Sequence, residues 1–386
     1  MPDPTLALAE SLIARPSLTP DDAGCCELIA ARLVRVGFTI EYLNAEGVTN
    51  LWATRGRGAP LAVLAGHTDV VPPGPREAWQ RDPFVPTQAD GYLYGRGAAD
   101  MKSGLAAMVC AVERLLARAT PQGTIAFLVT SDEEGPCRFG TKYVAEVLHE
   151  RGIQPDYAIV GEATAAEQLG DRIAVGRRGS LGCDLVVHGK QGHIAYPMKA
   201  DNPIHRLAPA LAELMAIRWD EGNAHFPPTS FQVSNLRSGT GANNVIPGTA
   251  ECVFNFRYST ASTADALRTR VTEVLNRHLP RFEARWWHSG EPYYTGAGAL
   301  VDAASAAIAD VAGRTPTLFT GGGTSDGRFL APLGAQVVEI GPVNATIHQV
   351  NERVRIADLE PLSQVYERLL ERLMCRGNGR SPAGAA

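Results

Sequence analysis

Leu61-Ala62-Val63-Leu64-Ala65-Gly66-His67-Thr68-Asp69 decides how this chain is read. A short apolar run, with the length and composition of a buried strand, ends at a glycine and then delivers a histidine and a carboxylate. The construction recurs along the chain. Thr124–Thr130 exits into Asp132-Glu133-Glu134, Tyr157–Val160 exits into Gly161-Glu162, and Val337–Ile340 exits into Gly341-Pro342 and a loop to His348. Between the first two runs, Ser103–Ala119 carries the small-residue, amphipathic pattern of a helix that begins just after Asp100. Short strands separated by helices predict an α/β domain with a mixed, largely parallel sheet. Open sheets of this kind place their ligand crevices at the strand exits, where these imidazoles and carboxylates collect.

Working outward, residues 4–37 carry a helical pattern that ends at Gly37, a natural terminator. The middle of the chain differs. Ile173–Gly176, Cys183–His188, Ser230–Leu236 and Thr249–Tyr258 read as longer strands, joined by helical patterns at 202–217 and 262–278. That alternation suits an α+β, ferredoxin-like domain inserted into the first. The expected division is a discontinuous catalytic domain at 1–178 and 293–376, an insert at 179–292, and a disordered tail at 377–386. Glu291-Pro292 would be the return hinge.

A chain of 386 residues exceeds the size at which one core stops growing, which agrees with two domains. A net charge of -5 gives no basic footprint, so no nucleic-acid partner is expected. Seven cysteines, an odd number without C-x-x-C spacing, indicate neither a disulfide framework nor a thiolate metal site. The first residues lack a basic-then-apolar leader, and no apolar run approaches the ~20 residues that cross a bilayer. The reading is therefore cytoplasmic, with no membrane contact. Gly321-Gly322-Gly323 lacks the Gly-Lys-Ser/Thr of a phosphate loop, and Gly95-x-Gly97 lacks the third glycine of a dinucleotide turn.

His67, Asp100, Glu134, Glu162 and His348 have the donor chemistry of a two-cation hydrolytic centre, in which one carboxylate usually bridges. The simplest allocation shares Asp100, pairs His67 with Glu162, and pairs His348 with Glu134. Cations in such centres stand roughly 3.5–4 Å apart and bring water's pKa toward neutrality. Asp69 is expected to orient His67 by accepting its other ring N–H. Glu133 points away from Glu134, because consecutive side chains diverge, and is free to act as general base.

Leu64–Pro72, Gly95–Gly104, Ser131–Gly135, Gly161-Glu162, Gly192-His193 and the late His348 together resemble the aminoacylase, acetylornithine deacetylase and carboxypeptidase metallopeptidase family. The resemblance runs to about residue 375 with its motifs in order. It implies a zinc-peptidase-like catalytic domain holding two Zn2+, with Co2+ or Mn2+ as possible substitutes. It also implies a cis peptide after Asp100 and an inserted dimerisation or lid domain that makes the protein a homodimer. His193 would then reach the active site, of the partner subunit, and stabilise the oxyanion. Pro136-Cys137-Arg138 departs from the pattern expected after the acidic pair.

Gly176–Leu181, Gln191–Pro197, Gly239–Pro247 and Thr320–Phe329 further resemble the branch of that family whose small-molecule substrate carries several carboxylates. Arg177, Arg178 and Arg257 supply fork-shaped carboxylate recognition, with Ser180, Tyr196, Asn243, Asn244, Gly323 and Thr324 as neutral partners. Rival readings are a relative with another acyl group, such as acetylornithine deacetylase, and a dipeptidase. A different class is a catalytically silent metal-dependent binding protein. The presence of Glu133 argues against the last, since a binding module needs no proton shuttle.

Overall fold

The computed structural model describes residues 3–375, so the expected disorder at 377–386 lies outside the described residues. Two compact units divide the chain. One runs through Gly176 and includes Tyr294–Phe319 and the residues from Ser325; the other is Arg177–Tyr293 with Thr320–Thr324.

The first unit is built on eight strands in the order Thr39–Tyr42, Asn50–Gly56, Thr124–Thr130, Leu61–His67, Tyr157–Val160, Gln336–Glu339, Arg172–Ala174, Thr317–Phe319. The middle four run parallel, while Thr39–Tyr42 and Asn50–Gly56 close one side antiparallel. Leu61–His67 is buried along almost its whole length because it is flanked by strands on both sides and covered on its faces. Its C-terminal end, and those of its parallel neighbours, therefore point the same way and carry His67, Glu133-Glu134 and Glu162.

Helix Ser103–Arg118 packs in the core with Leu105, Met108, Val112 and Leu115 against Leu362, Tyr366 and Leu369 of helix Ile356–Met374. A side chain at Gly104 would come within 2.2 Å of the Gly161 carbonyl, so only glycine lets this helix press against the strand exit at Glu162. That contact sets the spacing between Asp100 and Glu162.

Two sequence expectations are corrected here. Residues 4–37 form two helices, Pro4–Ile13 and Cys25–Arg35, because Pro16 and Pro20 interrupt the pattern and cannot donate to an intrahelical ladder. Ile173–Gly176 does not join the strands of the middle; Arg172–Ala174 belongs to the large sheet. Phe282–Gly290 supplies the fourth strand there instead, with Phe282, Ala284 and Trp286 alternating onto the core.

The second unit is an antiparallel sheet ordered Ser230–Ser238, Thr249–Tyr258, Gly179–His188, Phe282–Gly290. Helices Pro203–Ala216 and Ala264–His278 cover one face, where Leu181, Leu185, Phe254 and Phe256 meet Leu207, Leu214, Val271 and Leu275. The sequence strand–helix–strand–strand–helix–strand in this order is ferredoxin-like. Its other face mixes polar residues such as Asp184, Glu251 and Arg285 with the apolar Val186, Val253 and Trp287. All seven cysteines are free thiols.

Candidate metal centre

His67 ends its strand with its Nδ1 2.9 Å from the carbonyl oxygen of Asp69. A carbonyl can only accept, so Nδ1 carries the proton, and in the neutral ring, the form a cation would bind, Nε2 is the lone-pair donor. Nε2 lies 3.2 Å from Asp100 Oδ1 and 3.5 Å from Glu162 Oε1. Asp100 turns its other oxygen, Oδ2, to His348 Nε2 at 3.3 Å, and that nitrogen lies 2.9 Å from Glu134 Oε1. One carboxylate thus faces two imidazoles, one with each oxygen. Two donor sets result, His67-Asp100-Glu162 and Asp100-Glu134-His348, each with ligand atoms within 4.8 Å of one another. Imidazole and carboxylate donors in threes, sharing one acid, fit a pair of divalent cations.

The electrostatics agree with that fit. Hydrogen bonds that its ring N–H donates to the Asp100 and Glu134 carboxylates push His348 up to about 10. Burial opposes charge on His67, yet Asp100 and Glu162 drive it well above the usual imidazole range. Burial would likewise raise Asp100, but His348 and His67 hold it well below the ordinary carboxylate range. Glu162 is pushed up to about 8, by burial first and then by the Asp100 charge. The cluster is a concentration of negative charge that calls for positive charge at its centre.

The turn that presents Asp100 is held from a distance. Asp100-Met101 is a cis peptide, as the family resemblance implies. Glu352, fully buried, accepts from Ala99 N and Asp100 N on Oε1, and from Gly97 N and Arg96 Nη1 on Oε2, at 2.7–3.0 Å. Gly97 has φ +81, and a side chain there would come within 2.6 Å of Val70. Nothing local in Asn351-Glu352-Arg353 distinguishes this glutamate from a loop residue, and sequence reasoning passed over both it and Arg96.

Asp69 does accept the second ring N–H of His67, but through its main-chain carbonyl and not its carboxylate. Its carboxylate accepts from Glu133 N at 3.2 Å and Glu134 N at 3.0 Å, and its Oδ1 is 3.6 Å from His67 Nδ1, beyond hydrogen-bond range. The ring is satisfied by the nearer carbonyl, which leaves the carboxylate to fix the acidic pair. Glu133 is absent from both donor sets. Burial, then the charge of Asp326, raises it well above the usual carboxylate range, while Arg328 Nη1 lies 3.3 Å from its Oε1. Asp132 closes the following loop by accepting from the amides of Cys137, Arg138 and Phe139. The Cys137 thiol donates to the Glu133 carbonyl at 2.8 Å, and burial raises its pKa, so this departure is a loop brace. Arg328, Asp326 and Asp132 carried no site role in the sequence reading, although Asp326 and Arg328 lie in the Thr320–Phe329 segment that carries the resemblance.

The expected substrate contacts lie in the second unit. Ser180 and Arg257 are register partners on adjacent strands. Arg177 is buried and donates to Gly321 O at 2.6 Å, beside Gly322, while Gly323 and Thr324 continue that segment. Arg178 is half-buried, and burial lowers its pKa. A short ribbon pairs Gly192–His193 with Val245–Ile246 and brings the exposed His193, Tyr196, Asn243 and Asn244 together. His193 Nδ1 accepts from Ala195 N at 3.1 Å, which places a proton on Nε2 of the neutral ring.

Residues 63–372 match the model of Peptidase family M20/M25/M40. The chain is 59% identical to a succinyl-diaminopimelate desuccinylase of Bordetella parapertussis over 371 residues, 96% of this chain and 98% of that protein. It is 57% identical to one of Halorhodospira halophila, covering 96% and 98%. Its fold superposes on an M20 family metallo-carboxypeptidase from Sulfolobus solfataricus with a TM-score of 0.80 at 18% identity, over 96% of this chain and 99% of the other. A dinuclear metal binding peptidase of Bacillus subtilis gives 0.72 at 17% identity, over 95% and 96%.

Proposed function

The chain belongs to Peptidase family M20/M25/M40, and on that premise we propose that it hydrolyses N-succinyl-L,L-2,6-diaminopimelate to succinate and L,L-diaminopimelate. It is a metal-dependent hydrolase of diaminopimelate and lysine biosynthesis. The observation that carries the choice of amide is identity of 57–59% along 96% of the chain to desuccinylases.

On our reading the cations are zinc, with cobalt or manganese able to substitute, one held by His67, Glu162 and Asp100 and the other by His348, Glu134 and Asp100. When bound, they polarise the succinyl carbonyl and acidify the attacking water. Glu133, committed to neither donor set, takes the water's proton and delivers it to the leaving amine. Asp69 holds the backbone of Glu133 and Glu134 so that base and ligand keep their separation. His193, from the partner subunit of a homodimer, donates Nε2–H to the developing oxyanion. Arg177, Arg178 and Arg257 engage the substrate carboxylates, with Ser180, Tyr196, Asn243, Asn244, Gly323 and Thr324 as neutral partners.

The insert at 179–292 then serves as both dimerisation surface and lid, and the enzyme works in the cytoplasm. Among the described residues no helix is long and apolar enough to cross a membrane.

The test is amine release from N-succinyl-L,L-diaminopimelate by chelated protein, with and without added zinc, beside acetylornithine and several dipeptides. Zinc-restored release from the succinyl substrate alone supports the assignment. Preference for another amide, or no restored release, sinks it.

A further inference from the structure

Ser325-Asp326-Gly327-Arg328-Phe329 enters a short helix, Gly327–Leu330, that buries an arginine beside the proposed general base. The Arg328 side chain is 3% exposed, its guanidinium lies 4.4 Å over the Phe329 ring, and Nη1 donates to Glu133 Oε1 at 3.3 Å. Asp326, 1% exposed, accepts from Thr141 Oγ1 at 2.8 Å on Oδ2. Its Oδ1 is buried with no hydrogen-bond partner. A buried carboxylate, Asp326, and a mostly buried one, Glu133, are therefore set against one buried cation. Burying an arginine this fully disfavours it by several kcal/mol unless the carboxylates around it repay the desolvation.

A carboxylate base has two equivalent oxygens and a soft terminal torsion, so an untethered Glu133 would spread its lone pairs over many directions. A single charge-assisted bond to Oε1 removes that equivalence. Oε1 is fixed, and Oε2 becomes the oxygen that receives a proton and later releases it. The aromatic face of Phe329 holds the guanidinium plane, so the tether has a direction as well as a charge.

We infer that Arg328 is a positioning residue, pinning Oε1 of Glu133 so that Oε2 alone carries the proton between the attacking water and the leaving amine. The inference rests on Glu133 being the base.

Arg328→Met, Arg328→Lys, Glu133→Gln and the double variant Glu133→Gln/Arg328→Met are compared as zinc-loaded protein. Metal content, kcat and KM are measured for each. Arg328→Met should retain two metals, keep KM within about twofold, and lose kcat on the order of 10²-fold, the scale of a misplaced reacting group. Arg328→Lys should recover part of that loss, since an ammonium supplies one donor without the fork. Added guanidinium at low millimolar concentration should raise the kcat of Arg328→Met. The double variant should be no slower than Glu133→Gln, because the arginine acts only through the glutamate.

A kcat for Arg328→Met within about threefold of the parent overturns the inference. So does additive loss in the double variant, or loss of metal with loss of rate. If Arg328→Met does not fold, Arg328→Lys decides: a lower kcat at unchanged KM supports the inference and parental kcat overturns it. If Glu133→Gln turns over at the parental rate, the general-base reading itself has failed, and that outcome is distinct from an inactive Glu133→Gln beside an unimpaired Arg328 variant.

Discussion

Replacing Glu352 by alanine should weaken both cation sites together, although Glu352 touches neither cation's donor set except through the backbone. Glu352 is 0% exposed and accepts from the amides of Gly97, Ala99 and Asp100 and from Arg96. Arg96 is itself 2% exposed, stacks 5.3 Å over Trp79, and has a buried Nε without a partner. Removing one member of a buried ion pair costs about 3–5 kcal/mol, because the remaining charge stays desolvated. Each orphaned amide adds ~1–3 kcal/mol if water does not reach it. The gap left by a glutamate can admit a water, so the contributions do not sum in full, and about 5 kcal/mol is expected. Glu352→Gln keeps the shape but turns two donors toward backbone N–H groups or Arg96, and should cost about 2–3 kcal/mol. Urea denaturation of chelated protein gives the stability, and calorimetric zinc titration gives the affinities. Because the loop places Asp100, which serves both donor sets, the two affinities should fall together. An alanine variant within about 1 kcal/mol of the parent, binding two metals with parental affinity, would refute the claim that this carboxylate holds the loop.

Other substitutions separate the two halves of the centre. His348→Ala should leave one tight cation, held by His67, Glu162 and Asp100, whereas Asp100→Ala should weaken both; equal stoichiometry in the two variants by metal analysis would count against a shared carboxylate. Chelation should abolish turnover and lower the midpoint of thermal unfolding, with both restored by zinc, since a ligand bound only by the folded state stabilises it in proportion to RT ln(1 + [L]/Kd). Asp220, in the second unit, accepts from Ser262 Oγ, Thr229 Oγ1, Thr229 N and Gly222 N. Burial would raise its pKa, but these bonds lower it below 3.8. Its contribution is therefore fully present above pH 3.8 and is lost as pH falls through the lower folded value. Asp220→Ala should cost about 1–2 kcal/mol at pH 7, discounted because the carboxylate is partly solvated. The gap from the parent in urea midpoint should narrow below pH 3.8, and a gap that stays constant to pH 2.5 contradicts the assignment.

The donor residues were legible because their placement is a local property. An apolar run that ends in Gly66-His67, or in Gly161-Glu162, announces a strand exit whatever the rest of the chain does. The insert's two helices and most of its strands were readable for the same reason, each side's alternation or 3.6-residue period being written in adjacent residues. Two elements misled. Pro16 and Pro20 split a helical pattern that composition alone made continuous. Ile173–Gly176 could satisfy its apolar face in either sheet, and only the neighbouring Gln336–Glu339 and Thr317–Phe319 chose the larger one.

From the sequence alone followed the list of groups able to bind cations, the strand ends that carry them, and Glu133 as the carboxylate left over. Tertiary structure decided which oxygen of Asp100 faces which imidazole. It also turned Asp69 to the Glu133 and Glu134 amides, set Glu352 beneath the Asp100 turn, and put Arg328 against Glu133. Each of these joins groups 64 to 255 positions apart, apart from the Asp100–His67 contact at 33. Periodicity reports only on neighbours along the chain. Which distant donor satisfies a buried carboxylate depends on where the packed core carries both, and burial makes that choice costly to leave unmet.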